Sequence, residues 1–253
     1  MPNLTVTIIQ KDLLWEDPAA NRQALETMIL SDTSSSQLIV LPEMFTTGFS
    51  MKPKLLAEKM NGLTSQWMQN LAHKTNKTIT GSLIIEEGGH YYNRLLWTAP
   101  NQPHQSYDKR HLFSYGNENE HYTPGKKILE TQINNWKIRP LICYDLRFPV
   151  WSRNTTDYDI LIYVANWPER RIAHWRSLLI ARAIENQCFV IATNRVGTDG
   201  NGIYHNGNSM IISPKGQVLL EVTDCECIES ITLFRNNLDQ YRSDFPALKD
   251  KIL

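Results

Sequence analysis

Cysteine is scarce in this sequence: four residues among 253, at Cys143, Cys188, Cys225 and Cys227. Four irregularly spaced thiols do not make a disulfide framework for a chain of this size. Cys225 and Cys227 form only a C-x-C, without the second spaced pair that a structural zinc site uses. The seven histidines provide no H-E-x-x-H, and the chain has no G-x-G-x-x-G, no Walker lysine loop and no G-x-S-x-G. The expectation is therefore a protein that works with no metal and no organic cofactor. Excess charge is missing too, with 26 Lys plus Arg against 26 Asp plus Glu. Phosphate binding needs a basic face, so neither nucleic acid nor an anionic membrane is an expected partner. No apolar run approaches the roughly 18 residues of a membrane span; the longest, Ile160–Ala165, is strand-sized. The N-terminus shows no basic-then-apolar leader, which points to the cytoplasm. The glycosylation-type triplets at Asn3, Asn76 and Asn154 then read as chance. There is no repeat, no low-complexity run and no long Pro/Ser linker, so a single domain over residues 1–253 is expected. A domain of this length buries roughly three quarters of its unfolded surface and needs no staples.

Alternation and punctuation set out the elements. Leu4–Gln10 reads as a strand, and Asp17 caps a helix that has Pro18 in its first turn and runs to Leu30. Leu38–Leu41 is a buried strand, and Thr64 opens a helix to Lys74. Thr78–Glu86 and His90–Thr98 form a hairpin about Glu87, Gly88 and Gly89. Strands follow at His104–Asp108, Trp136–Ile142 and Asp159–Ala165. Ile172, Trp175, Leu179 and Ala183 make one apolar stripe on a helix expected over Pro168–Asn186. Cys188–Asn194, Ser209–Ile212, Gln217–Val222 and Ile228–Phe234 complete the strands, before a short helix that Pro246 stops. A mixed sheet or pair of sheets with helices outside fits this order better than eight parallel strands in a barrel.

Three strands end abruptly in a polar or reactive residue: Glu43, Lys109 and Cys143. Ligands of α/β sheets collect where strands end. A thiol is a strong nucleophile once ionised, a carboxylate in a dry pocket serves as base and then acid, and an ammonium stabilises an oxyanion. Each residue also has a plain reading: a buried small hydrophobe, a surface carboxylate, a solvated lysine.

The words around the three residues favour the first reading. Leu-Pro-Glu-Met-Phe at 41–45, Tyr-Asp-Lys-Arg-His-Leu-Phe at 107–113 and Cys-Tyr-Asp-Leu-Arg-Phe-Pro at 143–149 resemble the three signature segments of the nitrilase (carbon–nitrogen hydrolase) superfamily, in that family's order. The likeness continues through Tyr-Val-Ala-Asn-Trp-Pro at 163–168 and His174 to Asn186. It is nearest to the short bacterial ω-amidases. The resemblance implies an α/β fold, the four-layer αββα sandwich. It implies Cys143 as nucleophile, Glu43 as general base and acid, and Lys109 as the oxyanion-binding cation. It also implies a second glutamate seven residues before a turn glycine, which is Glu118 counted back from Gly125, with Glu120 the competing position. The Tyr144 N–H is the expected second oxyanion donor, with Asp145 contributing mainly through its backbone.

Other residues remain open between two readings. Arg147 is a candidate for a substrate carboxylate or for a buried ion pair. Trp167 either walls the pocket or is core, and Arg195 is a further candidate cation. His111 and His121 are read as structural, Cys188 as core, and Gly197–Gly202 lacks the strand-loop-helix context of a phosphate cradle. The implied partner is a small amide, with an N-carbamoyl compound or a nitrile as alternatives and a catalytically silent scaffold as the competing class. A homodimer is expected by family analogy.

Overall fold

The computed structural model describes residues 2–251. In chain order its first strands are β1 Leu4–Gln10, β2 Leu38–Val40, β3 Thr78–Glu87, β4 His90–Thr98, β5 Gln105–Asp108 and β6 Thr131–Ile133. They are followed by β7 Trp136–Ile142, β8 Ile160–Ala165, β9 Phe189–Asn194, β10 Val196–Thr198, β11 Tyr204–Ile212, β12 Val218–Thr223 and β13 Cys227–Leu233. The helices are α1 Pro18–Ser31, α2 Pro53–Leu56, α3 Leu63–Thr75, α4 Glu118–His121, α5 Pro149–Ser152, α6 Ile172–Asn186 and α7 Arg235–Asp244.

Two mixed sheets result. One has the order β13-β1-β2-β3-β4-β5; the other runs β10-β11-β9-β8-β7-β6, with β12 paired to β11. Period-two alternation decides what each strand of the first sheet touches. Leu4, Val6 and Ile8, with Leu38 and Val40, point into a core shared with the second sheet. Ile9, Ile39 and Leu41 point the other way, onto Leu25 and Ile29 of α1 and Met68, Leu71 and Ala72 of α3. Strand β8 is buried along its whole length, as a parallel strand between two others must be. Trp175, Leu179 and Ala183 of α6 close the far side of the second sheet, each large side chain contributing about 1.5–3 kcal/mol by burial. Helices, sheet, sheet and helix make the αββα sandwich.

The α1 cap forms as the sequence indicates, with Asp17 Oδ1 accepting from the Ala20 N–H at 3.0 Å. Asn21, on the buried face of α1, donates to the Leu14 and Thr46 carbonyls at 2.6 and 2.8 Å. It thereby ties the helix to the loop that follows β2.

Three expectations need correction. The helix expected from Pro168 opens as a 3-10 turn, Glu169–Arg171, and becomes α6 only at Ile172. Arg171 holds non-helical angles, φ −126° and ψ 19°, which stop a continuous ladder at that point, and Trp167 Nε1 donates to its carbonyl at 2.8 Å. The buried face of α6 also carries Arg182 and Asn186, because Arg182 reaches the Leu146 carbonyl at 2.7 Å and the Asn186 carbonyls accept from Asn154. Strand β11 begins at Tyr204 rather than Ser209. Asn206-Gly207-Asn208 carries a bulge, with Gly207 and Asn208 both at positive φ, which lets pairing continue past it.

Candidate active site

Each reactive residue follows a strand, and left-handed backbone turns the chain at Met44 and at Cys143. Beyond β2, the Leu41 N–H donates to the Thr80 carbonyl, and Met44 adopts a left-handed φ of 43°. The Met44 and Phe45 N–H groups then fasten to Ser82 of β3 at 2.9 and 3.0 Å. Glu43 is left fully buried. Lys109 follows β5, its N–H on the Asn93 carbonyl at 3.0 Å. Cys143 itself is left-handed, φ 42°, at the point where β7 breaks into a 3-10 turn. That conformation costs an L-residue about 1–2 kcal/mol, and such strain gathers at functional sites.

The elbow at Cys143 is held by Asp145, which is completely buried. Its carboxylate accepts from the Ile142 N–H at 3.1 Å, the Tyr107 hydroxyl at 2.7 Å, the His111 N–H at 3.0 Å and His111 Nδ1 at 2.8 Å. The His111 ring stacks on Phe148, with centroids 3.8 Å apart. Asp145 therefore acts through its side chain, correcting the expectation of a backbone role. It binds the strand before the cysteine to the segment after the lysine.

Lys109 Nζ sits between two carboxylates, 2.8 Å from Glu43 Oε1 and 2.9 Å from Glu118 Oε2. Asn93 Nδ2 donates to the Oε1 atoms of the same two residues, at 2.8 Å for Glu43 and 3.1 Å for Glu118. The Asn166 N–H donates to Glu43 Oε2 at 2.8 Å, and Asn166 Nδ2 to the Glu43 carbonyl at 2.6 Å. The Phe113 N–H donates to Glu118 Oε2 at 2.6 Å. Burial alone would strip the Lys109 proton, but the Glu118 and Glu43 charges outweigh it and raise its pKa. Burial lifts the Glu118 carboxyl; Lys109 opposes this and Glu43 adds to it. Burial and the Glu43 charge push the Cys143 thiol well up, against the pull of Lys109. The resting thiol is therefore protonated.

Cys143 and Lys109 open onto a cavity of about 170 Å³. Arg147, Arg170 and Arg171 also line it, and Asp199 is its one acidic lining residue among those described. His205 lines it as a neutral ring, its pKa lowered to about 4 by burial and by Arg195. The arrangement offers a nucleophile, a fixed ammonium and an anion-attracting wall.

The family model for carbon–nitrogen hydrolases matches residues 5–233. The chain belongs to the carbon–nitrogen hydrolase family. Its relatives include "Omega-amidase YafV" of Escherichia coli strain K12, 41% identical over 99% of this chain and 97% of that protein. The "2-oxoglutaramate amidase" of Bacillus subtilis strain 168 is 32% identical over 97% of this chain and 96% of its own. Among solved structures, a CN-hydrolase superfamily protein of Xanthomonas campestris with an arsenic adduct in its active site superposes with a TM-score of 0.97. That protein is 40% identical and covers all of this chain, which covers 98% of it. The chain is thus a hydrolase of carbon–nitrogen amide bonds, and its nitrilase-type sandwich agrees with these neighbours.

Within this hydrolase the structure gathers Glu43, Lys109, Glu118 and Cys143 at one end of the two sheets. Glu118 lies in the charge cluster while Glu120 is exposed. The Tyr144 N–H lies in the first turn of the 3-10 segment after Cys143, where helical N–H groups lack an internal acceptor. Trp167 lines the cavity and lies under Arg147, whose guanidinium carbon is 4.8 Å from its ring. Arg147 has no carboxylate partner among the described residues; its polar contact is His174 Nδ1 at 3.1 Å. Arg195 does not line the cavity: it is buried, bound to Asp12 at 2.8 Å and to the Leu13 and Val196 carbonyls. His121 is exposed, and Cys188 lies in the core, where burial raises its thiol pKa. Asn93 and Asn166 escaped the sequence reading, because an asparagine in or after a strand carries no signal of its own.

Proposed function

We propose that this hydrolase cleaves the ω-amide of a short α-keto dicarboxylate, of the α-ketoglutaramate or α-ketosuccinamate type, and releases ammonia. The observation that carries this reading is a small cavity with Cys143 and Lys109 on its wall and arginines without protein counter-ions around it. A buried carboxylate needs such partners to replace its water. The names of the Escherichia coli and Bacillus subtilis relatives support the same substrate class. We take the whole chain to act as one hydrolase domain.

Glu43 takes the thiol proton as Cys143 adds to the amide carbonyl. With Glu43 and Glu118 ionised and Lys109 protonated, this transfer moves a negative charge from Glu43 to sulfur without adding one to the dry cluster. Lys109 Nζ and the Tyr144 N–H hold the oxyanion. Glu43 returns its proton to the amide nitrogen, the carbon–nitrogen bond breaks and ammonia leaves a Cys143 thioester. Glu43 then deprotonates a water that adds to the thioester. Collapse expels the sulfur, which recovers the proton, and frees the carboxylate product. Glu118 keeps Lys109 charged and in place. Asn166 holds Glu43, its N–H on Oε2 and its Nδ2 on the carbonyl.

The test is ammonia release from α-ketoglutaramate, α-ketosuccinamate, glutamine, asparagine, N-carbamoyl-β-alanine and short nitriles. The α-keto amides should exceed glutamine and asparagine by well over about tenfold in kcat/KM, because an α-ammonium meets three arginines here against a single acidic lining residue among those described, Asp199. Equal rates on glutamine, or faster turnover of N-carbamoyl-β-alanine, would move the substrate elsewhere while leaving the cysteine chemistry standing.

A further inference from the structure

We propose that Arg171 selects the substrate by receiving, together with Arg147, the carboxylate that the acyl chain carries beyond the scissile amide. The proposal rests on the α-keto ω-amide reading and names the residue that enforces it. Arg171 lines the same cavity as Cys143. Its guanidinium carbon lies 5.2 Å from the centre of the Phe113 ring, and Phe113 lines the cavity as well. Stacking of this kind holds a planar fork in one orientation, which suits two-point recognition of a carboxylate in a way a lysine cannot match.

The backbone is fixed as firmly. The Arg171 carbonyl accepts from Trp167 Nε1 at 2.8 Å, and the residue caps α6 with non-helical angles, φ −126° and ψ 19°. The interruption between the 3-10 turn and α6 is what places this side chain on the cavity wall. Trp167 thus carries Arg147 on its ring and holds Arg171 by its nitrogen. One tryptophan sets both cations.

No carboxylate of the described residues satisfies Arg171, Arg147 or Arg170, since none of the three takes part in an ion pair. Asp199, the acidic lining residue, already spends Oδ1 on the Asn201 and Ile203 N–H groups at 2.8 and 2.9 Å. Burial lowers the Arg171 pKa, and the like charges of Arg170 and Arg147 lower it further. Guanidiniums converging without a counter-ion repel one another, and an arriving carboxylate relieves that repulsion. A neutral amide brings no such relief, and an α-ammonium adds to the cost.

The experiment compares α-ketoglutaramate with butyramide in the wild-type protein, Arg171→Met and Arg171→Lys, reading the ratio of the two kcat/KM values. Loss of a charged partner to a desolvated carboxylate should lower that ratio about a hundredfold in Arg171→Met. Arg171→Lys should restore part of it, and the change should appear in KM more than in kcat. A merely structural role would lower both substrates alike and leave the ratio standing, which overturns the proposal. An unchanged Arg171→Met does the same while the substrate reading survives. Wild-type protein that treats the two amides alike overturns the substrate reading itself, and the reason for Arg171 with it.

Discussion

Replacing Lys109 by methionine tests the electrostatics of the site most directly. The side chain is 1% exposed and bridges two fully buried carboxylates. Methionine keeps most of the volume, so the change is chiefly the loss of one positive charge. Glu43 and Glu118 would then face each other across Asn93 Nδ2, which already donates to an Oε1 of each. Two unscreened carboxylates at that distance cannot both stay ionised, and the pair takes up a proton. Breaking a buried ion pair from one side costs about 3–5 kcal/mol of stability, and proton uptake returns part of this. The sign of the pH dependence follows. Unfolded glutamates ionise near pH 4.3, whereas the folded pair holds its shared proton to higher pH. Above the unfolded value the folded state binds more protons, so the stability of the variant falls as pH rises through the raised pKa of the pair. Chemistry suffers twice. Losing an oxyanion donor typically costs about a hundred- to a thousandfold in turnover, and a proton shared with Glu118 leaves Glu43 a poorer base. The expected kcat is at least about a thousandfold down, with a far smaller change in KM. Ammonia release and thermal unfolding, both run from pH 5 to 9, read these effects together. A kcat within about tenfold of wild type, accompanied only by a raised KM, would refute the oxyanion role. A variant whose stability climbs with pH would refute the shared proton.

Cys143→Ala should fold and lose turnover to below about one percent of wild type, since no thioester can form; Cys188→Ala should stay active and unfold at slightly lower temperature, reading out its core position just before β9. Glu43→Gln should stop both half-reactions, so intact-protein mass spectrometry should find no acyl adduct after mixing; an adduct formed at wild-type speed would mean another base deprotonates Cys143. Glu118→Gln should reduce kcat by about tenfold or more by freeing one side of Lys109, while Glu120→Gln, changing an exposed side chain, should match wild type. Equal losses in the two variants would contradict the distinct environments of these glutamates.

Much of the sandwich was legible because its layers depend on alternation, and alternation survives without knowledge of the partner. Leu4-x-Val6-x-Ile8 indicates a strand with two faces whether or not the second sheet is known. The misjudged segments are those where the backbone departs from its local habit. Arg171 leaves the helical region, φ −126° and ψ 19°, and α6 starts only after it. At Gly207 the backbone packs so closely on Gln10 that a Cβ would lie 2.3 Å from its amide group, and a bulge there carries the strand back to Tyr204, ahead of the expected Ser209.

The charge cluster divides along the same line. Glu43, Lys109 and Cys143 can be located in the sequence because each stands just beyond the end of a strand. Glu118 stands in no strand, yet its count to Gly125 has a physical reason. The Gly125 N–H donates to the Lys109 carbonyl at 2.9 Å, and a Cβ there would lie 2.1 Å from the Asp108 carbonyl oxygen. A glycine is required for the chain to pass against the residue just before the lysine. With that crossing fixed, the intervening segment becomes a loop closed on Lys109 itself, and a residue in its short helix is delivered to the ammonium. Asn93 and Asn166 have no such local tether. Asn93 reaches Glu43 only because β4 lies between β3 and β5, and Asn166 reaches it only because the second sheet packs on the first. Arg171 is hidden in the same way, inside a stretch that reads as uninterrupted helix. Glu43, Lys109 and Cys143 are thus properties of strand ends, whereas the groups packed around them are properties of the assembled layers.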